Sequence, residues 1–231
     1  MLAAVLFVSS AYSVPASAAP ITFDLFGSGG QQAVGAPMVF PSGGVTVMAT
    51  ACSYVNSFQQ SSLGRWDFGL GVCNANELPS CSSGQHQVDN EGGTRDYILF
   101  EFSSAFLVDP TSVTVKTTDW SDLDVSYWTG NFVHPGDRLK DDVYDNLAAR
   151  GFIGGATDSQ GSGTWRTVTL TSLNATSLLF GAERDDNNDA FKIYQLTVNT
   201  STSTVPEPGS LILLGTGLAA VGKRMRRRWP A

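Results

Sequence analysis

Oxygen-bearing side chains stand in a row at Asp185-Asp186-Asn187-Asn188-Asp189. Ca2+ takes about six to eight oxygens at roughly 2.3–2.6 Å, drawn from carboxylates, amides and backbone carbonyls. A loop of this composition therefore predicts a Ca2+ site. Neighbouring side chains diverge along a strand or turn, so two of the three aspartates, Asp185, Asp186 and Asp189, are expected to reach one ion. Asp119, Asp122 and Asp124 form a second acidic cluster, and Asp89-Asn90-Glu91 a third. None has the glycine and terminal glutamate of an EF-hand loop. The competing reading of each cluster is a solvated turn.

Trp120, Tyr127, Trp128 and Phe132 lie close together in sequence. Sugar rings stack on exposed aromatic faces while polar neighbours bind the hydroxyls. Tyr127 and Trp128 are adjacent, so on a strand they face opposite sides and at least one lies outside the core. Trp120, Tyr127 and Trp128 are the predicted sugar contacts. Core packing is the alternative for all of them.

Nucleophilic chemistry has little support. His86 and His134 are the only histidines, and no Gly-x-Ser-x-Gly elbow accompanies them. Most acids sit in polar loops, where burial is not expected to raise a pKa. Glu101, between Phe100 and Phe102, is expected on the solvent face of a half-buried sheet. Phosphate-cradling glycine loops and dinucleotide fingerprints are missing from the sequence. Of the three cysteines, Cys73 and Cys81 bracket a Gly/Ser/Asn/Pro loop and are the easiest to bridge, with Cys52–Cys73 as the competing pair. The leftover thiol would act as a small buried hydrophobe. Zinc is disfavoured by the lack of Cys-x-x-Cys or paired-histidine spacing.

These groups need a scaffold. The 231 residues are 42% hydrophobic but only 15% charged, with 24 glycines. An average domain carries about 25% charged residues. The balance favours a β-rich, turn-rich extracellular body over a helical cytosolic enzyme. Five of the 14 basic residues, Lys223, Arg224, Arg226, Arg227 and Arg228, lie at the extreme C-terminus. Residues 20–205 then hold 9 basic against 20 acidic residues, a net charge of −11. Such a body lacks the basic footprint that nucleic acid requires.

Both ends read as addresses. Residues 1–19 combine the apolar run Leu2–Val8 with the small-x-small triplet Ala16-Ser17-Ala18, the pattern of a secretory signal peptide, although no Lys or Arg follows Met1. A buried N-terminal helix is the alternative. At the other end, the Ser/Thr run at 199–204 is a flexible linker. It leads into Val205-Pro206-Glu207-Pro208, then an apolar stretch, Ser210–Val221, then the basic cluster. Twelve helical residues span roughly 18 Å, short of the ~30 Å hydrocarbon core. The stretch thus suits a transient anchor with the arginines held on the cytoplasmic side. This ordered tail, residues 205–231, resembles the PEP-CTERM sorting signal of Gram-negative bacteria that make extracellular polysaccharide. The resemblance implies export and transient anchoring of a hydrophobic sorting helix in the inner membrane. It also implies recognition of Pro206-Glu207-Pro208 by an exosortase-type processing enzyme, and loss of the tail.

The body, residues 20–198, reads as an all-β antiparallel sandwich or jelly roll. Alternation predicts strands at Ile21–Phe26, Val45–Thr50, Trp66–Val72, Tyr97–Phe102, Ser112–Thr118, Leu123–Trp128, Thr164–Leu170, Ser177–Ala182 and Ala190–Val198. One short helix is expected in a long connection. Pro135-Gly136-Asp137 would start it, Leu139, Val143 and Leu147 would form its apolar stripe, and Arg150-Gly151 would end it. First and last strands of a jelly roll are often neighbours, so Asp24 is the predicted distant ligand completing the Ca2+ site. The strings around Gly69–Val72, His86–Asn90, Tyr97–Phe102 and Asp185–Ile193 resemble those of bodies attached to PEP-CTERM tails. They also resemble strand ends of jelly-roll carbohydrate-binding modules. Three function classes follow: a non-enzymatic surface or matrix protein associated with polysaccharide, a Ca2+-dependent carbohydrate-binding module, and a hydrolase of exported polymers.

Overall fold

The structure is a computed structural model. It describes residues 19–78, 81, 86–104, 107–132, 139–159, 161–171 and 175–201, together with Gly217. The predicted signal peptide, His134, the helix start at Pro135–Asp137 and the Val205–Pro208 tail with its basic cluster lie outside the described residues. So does the side chain of Trp120.

Ala19–Ser201 forms one compact unit. Its strands are β1 (Ala19–Asp24), β2 (Gly30–Gln31), β3 (Met38–Ser42), β4 (Val45–Tyr54), β5 (Phe58–Gln60), β6 (Ser62–Trp66), β7 (Gly69–Cys73) and β8 (Val88–Asp89). They continue as β9 (Arg95–Ser104), β10 (Leu107–Asp122), β11 (Val125–Gly130), β12 (Phe152–Asp158), β13 (Ser162–Thr169), β14 (Ser177–Ala182) and β15 (Ala190–Ser201). An eight-stranded sheet runs β13-β10-β15-β7-β6-β2, with β1 and β8 also paired to β15. A seven-stranded sheet runs β12-β11-β14-β9-β4-β3, with β5 also paired to β4. All ladders within the sheets are antiparallel, so the fold is the expected all-β sandwich.

Period-two alternation builds the core between the sheets. Phe23, Leu70, Val113, Val115, Phe191 and Ile193 of the eight-stranded sheet share one cluster with Val47, Ile98, Phe100, Val125, Leu178 and Phe180 of the other. The run Tyr97-Ile98-Leu99-Phe100 is apolar at every position because this sheet is buried on both faces. Ile98 and Phe100 face the core between the sheets. Tyr97 and Leu99 join a second cluster with Cys52, Phe58, Phe132, Leu139, Leu147 and Phe152.

The cover over that second cluster is not the predicted helix. Leu139 and Asp141 have φ of 63° and 66°, in the left-handed region that a right-handed helix excludes. Among the described residues of this segment a 3-10 turn forms instead, at Tyr144–Asn146. The backbone bonds a helix would have used go elsewhere: Asp141 N donates to Phe58 O at 2.8 Å and Phe58 N donates to Asp142 O at 2.7 Å. Arg150 pairs with Asp142 at 2.8 Å. The apolar stripe still lands on the sheet, with Leu139 and Leu147 buried, but it is delivered by turns.

Trp66–Val72 is likewise not one strand. It is a tight hairpin, with Trp66 opposite Gly69 and Asp67-Phe68 as the loop. Gly69, at φ +123°, adopts a conformation that L side chains rarely take. Strand β12 has no clear alternation in sequence because Gly154-Gly155 interrupts it. A Cβ at Gly155 would strike the indole of Trp128, so the glycine is what lets the strand lie under that ring.

Candidate functional site

Four chain crossings between the sheets meet at one point. The link from β10 to β11 passes through Leu123-Asp124, that from β14 to β15 through Glu183–Asp189, that from β12 to β13 includes Ser159 and Gly161, and that from β8 to β9 passes through Asn90–Thr94. Asp189 joins three of them directly. Its Oδ1 accepts from Asp124 N at 2.9 Å. Its Oδ2 accepts from Glu183 N at 3.0 Å and from Asn90 Nδ2 at 2.7 Å. Its own N–H donates to Asn90 Oδ1 at 2.9 Å. Asp124 Oδ1 reaches the last link by accepting from Gly161 N at 2.7 Å.

Around this node Asp122, Asp124, Asp186 and Asp189 each offer a carboxylate oxygen, all within 4.8 Å of one another. Two ligands on opposite sides of a Ca2+ ion lie about 5 Å apart, so the spacing fits one cation. Asp186 Oδ1 accepts from Asn90 Nδ2 at 2.6 Å, and Asp122 Oδ2 accepts from Asn188 Nδ2 at 3.1 Å. These bonds use only part of each carboxylate's accepting capacity. Opposing charge is sparse. Arg166 stands 3.6 Å from Asp124 and also pairs with Asp158, while the exposed Arg184 pairs with Asp185.

The crowding shows in the acidities. Burial pushes Asp189 up to about 8, helped by the hydrogen bond and charge of Asp186. Asp124 is raised by burial against the opposing bond from Gly161. Glu183 is raised by burial too, despite the 2.7 Å bond from Ser159 Oγ. Such a group of carboxylates is neutralised either by protons or by a hard divalent cation.

Of the predicted ligands, the structure brings Asp186 and Asp189 together and leaves two out. Asp185 is exposed and faces Arg184. Asp24 is held at the far part of the strand pair: β1 does lie against β15, but the register places Asp24 opposite Gln195, whose Nε2 donates to it at 2.7 Å. The start of β15 is instead paired with β8. The distant acids that do arrive are Asp122 and Asp124, a cluster visible in sequence but not connected there to this loop.

The third sequence cluster lines a polar cavity of about 420 Å3 with Asn74, Asn76, Glu77, Asp89, Glu91 and Thr94. Asp96 is fully buried and accepts from Asn74 Nδ2. Burial, followed by the charge of Glu77, raises Asp89 to about 7. Asp96 is held well above the ordinary range by burial and then by Asp89, and Glu77 is raised by burial. The expectation that loop acids keep ordinary acidities is thus corrected. These loops cross the end of the sandwich and are packed rather than solvated.

The predicted sugar contacts do not form one platform. Tyr127 is buried in the core between the sheets, its ring 6.4 Å from Phe180. Trp128 points the other way, into the second cluster beside Tyr97 and Tyr144. Phe132 is buried in the same cluster. Glu101 is half-buried on the outer face of its sheet and lines a cleft of about 390 Å3 with Met48, Phe102 and Phe132. Cys73 and Cys81 form a disulfide, with Cα atoms 6.2 Å apart, while Cys52 is free and buried, its thiol pushed up by burial. His86 lies beside that disulfide and stacks on Trp66 at 4.1 Å.

Comparison with known proteins bears on the far end of the chain. Residues 204–228 match the PEP-CTERM protein-sorting motif. The chain carries a PEP-CTERM sorting signal. The matched span takes in Pro206-Glu207-Pro208, the apolar stretch and the basic cluster, and it marks an exported, exosortase-targeted chain with a transiently membrane-anchored sorting signal. Comparisons with curated proteins and with solved structures each returned no match. Among the described residues, no helix is long and apolar enough to cross a membrane.

Proposed function

We propose that this protein is a non-enzymatic component of the cell surface or extracellular matrix of a Gram-negative bacterium, where its body associates with polysaccharide. What carries the reading is the sorting motif at 204–228, placed directly after a compact β-sandwich that ends at Ser201. The tail is removed by an exosortase-type enzyme and the sandwich remains outside. Intact mass of the exported protein tests the processing: the mature species lacks the first 18 or 19 residues and the segment beyond about position 205–208. A mature chain that retains Arg226 overturns it. Pull-down of the mature protein with extracellular polysaccharide tests the partner.

The convergence of Asp122, Asp124, Asp186 and Asp189 favours a second, compatible reading, in which Ca2+ supports that association. The ion would hold two sheet crossings together and supply no reaction step. Pull-down with and without chelator separates the readings. Equal recovery leaves only the cation-independent one.

A further inference from the structure

The outer face of the eight-stranded sheet carries a row of rings around one lysine. Lys116 on β10 sits opposite Trp165 on β13. Its ammonium lies 5.3 Å from the Trp165 ring, 4.8 Å from Tyr194 and 4.9 Å from Phe68. Tyr194 stacks on Phe26 at 4.4 Å, with their planes 6° apart, and lies 5.1 Å from Trp165. Trp165 is 51% exposed.

Both lysines on this face lie over rings. Lys192 lies directly across the ladder from Lys116, and like charges in that position repel. Its ammonium is 4.6 Å over Trp66. Among the described residues neither lysine has an ion-pair partner, in a body whose net charge is −11. Arg150, Arg166 and Arg184, by contrast, each face a carboxylate. Lys192 is buried and its charge is disfavoured by burial, so the half-buried Lys116 is the ammonium that a ligand can reach beside these rings. Aromatic faces take the C–H faces of sugar rings, and an ammonium at the same spot selects a carboxylate or sulfate.

We propose that this face, centred on Lys116, Trp165 and Tyr194, binds an acidic polysaccharide. A pyranose ring lies against the exposed Trp165, and a uronate carboxylate pairs with Lys116, which Tyr194 holds in place from beneath. The proposal rests on the polysaccharide reading above and gives it a surface and a charge class. The site does not involve the aspartate node, so binding here persists in chelator.

The test is affinity electrophoresis of the mature protein in gels containing polygalacturonate or neutral dextran, with folding checked by circular dichroism. Wild-type protein is retarded by polygalacturonate and not by dextran, and the retardation weakens with salt. Trp165→Ala and Lys116→Gln each lower the affinity about tenfold, equivalent to losing one good contact. Trp165→Phe and Lys116→Arg keep most of it. Wild-type retardation by polygalacturonate that both Trp165→Ala and Lys116→Gln retain overturns this surface and leaves the polysaccharide reading standing. Equal retardation by dextran overturns the acidic class. Binding to phosphatidylglycerol vesicles but not to polygalacturonate overturns the glycan assignment in favour of a membrane surface. Retardation by neither polymer, with no recovery on the native extracellular polysaccharide, overturns the polysaccharide reading itself.

Discussion

The two outer faces of the sandwich have opposite fates. On the seven-stranded sheet, Tyr97, Leu99, Phe58 and Trp128 are roofed by the connection that carries Leu139, Tyr144 and Leu147. On the eight-stranded sheet, Trp165, Tyr194, Phe68 and Lys116 have rings for neighbours but no such roof among the described residues. Aromatic content alone therefore does not say where a binding surface lies. What decides it is whether the chain spends a later segment covering the rings.

The sharpest way to test this contrast is to remove one ring from each face. Phe58 is fully buried and packs edge-on against Tyr54, Tyr97 and Tyr144. Phe58→Ala should cost about 3–5 kcal/mol in urea denaturation. Trp165→Ala should cost under about 1 kcal/mol, as expected for a half-exposed position. Equal losses would mean that both faces are structural.

The next effect concerns the aspartate node. In millimolar Ca2+ the body should gain about 2.7 kcal/mol at roughly 100-fold excess over Kd. Asp122→Ala combined with Asp186→Ala should abolish the gain, whereas Asp24→Ala should not touch it. An unchanged melting temperature in wild type reduces the node to a protonated hydrogen-bond hub.

The pH dependence tests the node without metal, through Asp189, together with the separate cavity that holds Asp89. Asp189 and Asp89 titrate near 8 and 7 in the fold, above the ordinary carboxylate value of 3.8. The folded state therefore binds protons more tightly than the unfolded chain. This stabilisation is complete below about pH 4 and is lost as pH rises through 7 and 8. Denaturation in chelator should show stability falling across that window, and Ca2+ should flatten the fall.

An effect comparable to that of Ca2+ is expected at the Cys73–Cys81 link. Closing so short a loop contributes about 2–3 kcal/mol in the chain-entropy account. Reduction should therefore lower stability modestly. It should also loosen the cavity lined by Asn74 and Glu77, which the 73–81 loop carries, while leaving the stability difference between Phe58→Ala and Trp165→Ala unchanged.

Much of the fold was legible where local chemistry and tertiary demand agree. The alternation of Ile21–Phe26, Tyr97–Phe102 and Ser177–Ala182 marked strands because one residue in two faces a core. The Cys73–Cys81 spacing marked a loop short enough to close. Asp186 and Asp189 were legible as a pair because they share one turn. The failures share a cause, which is that they depend on register or on contacts far along the chain. Asp24 was assigned to the node because β1 neighbours β15, but only the pairing with Gln195 tells how far along. Asn90, whose amide joins Asp186 and Asp189, was legible only as part of a separate cluster, Asp89-Asn90-Glu91. The 139–147 segment has a helical stripe, and its backbone is instead recruited by Phe58. The aromatic pair Tyr127-Trp128 pointed correctly to opposite faces, but the covering segment that buries Trp128 was not readable from periodicity.

Strand β15 is the last element of the body, and it pairs with β1, β7, β8 and β10. A chain that crosses a membrane from its N-terminus onward delivers this strand after everything it must join. Until then the eight-stranded sheet lacks its central member, β1 has no ladder, and the carboxylate of Asp189 is not there to tie the crossings. Completion of the fold is thereby timed to the arrival of the segment just upstream of the sorting tail. The tail's pause at the membrane would hold the chain at the stage when its closing strand has just become available, so that anchoring and folding fall in the same interval.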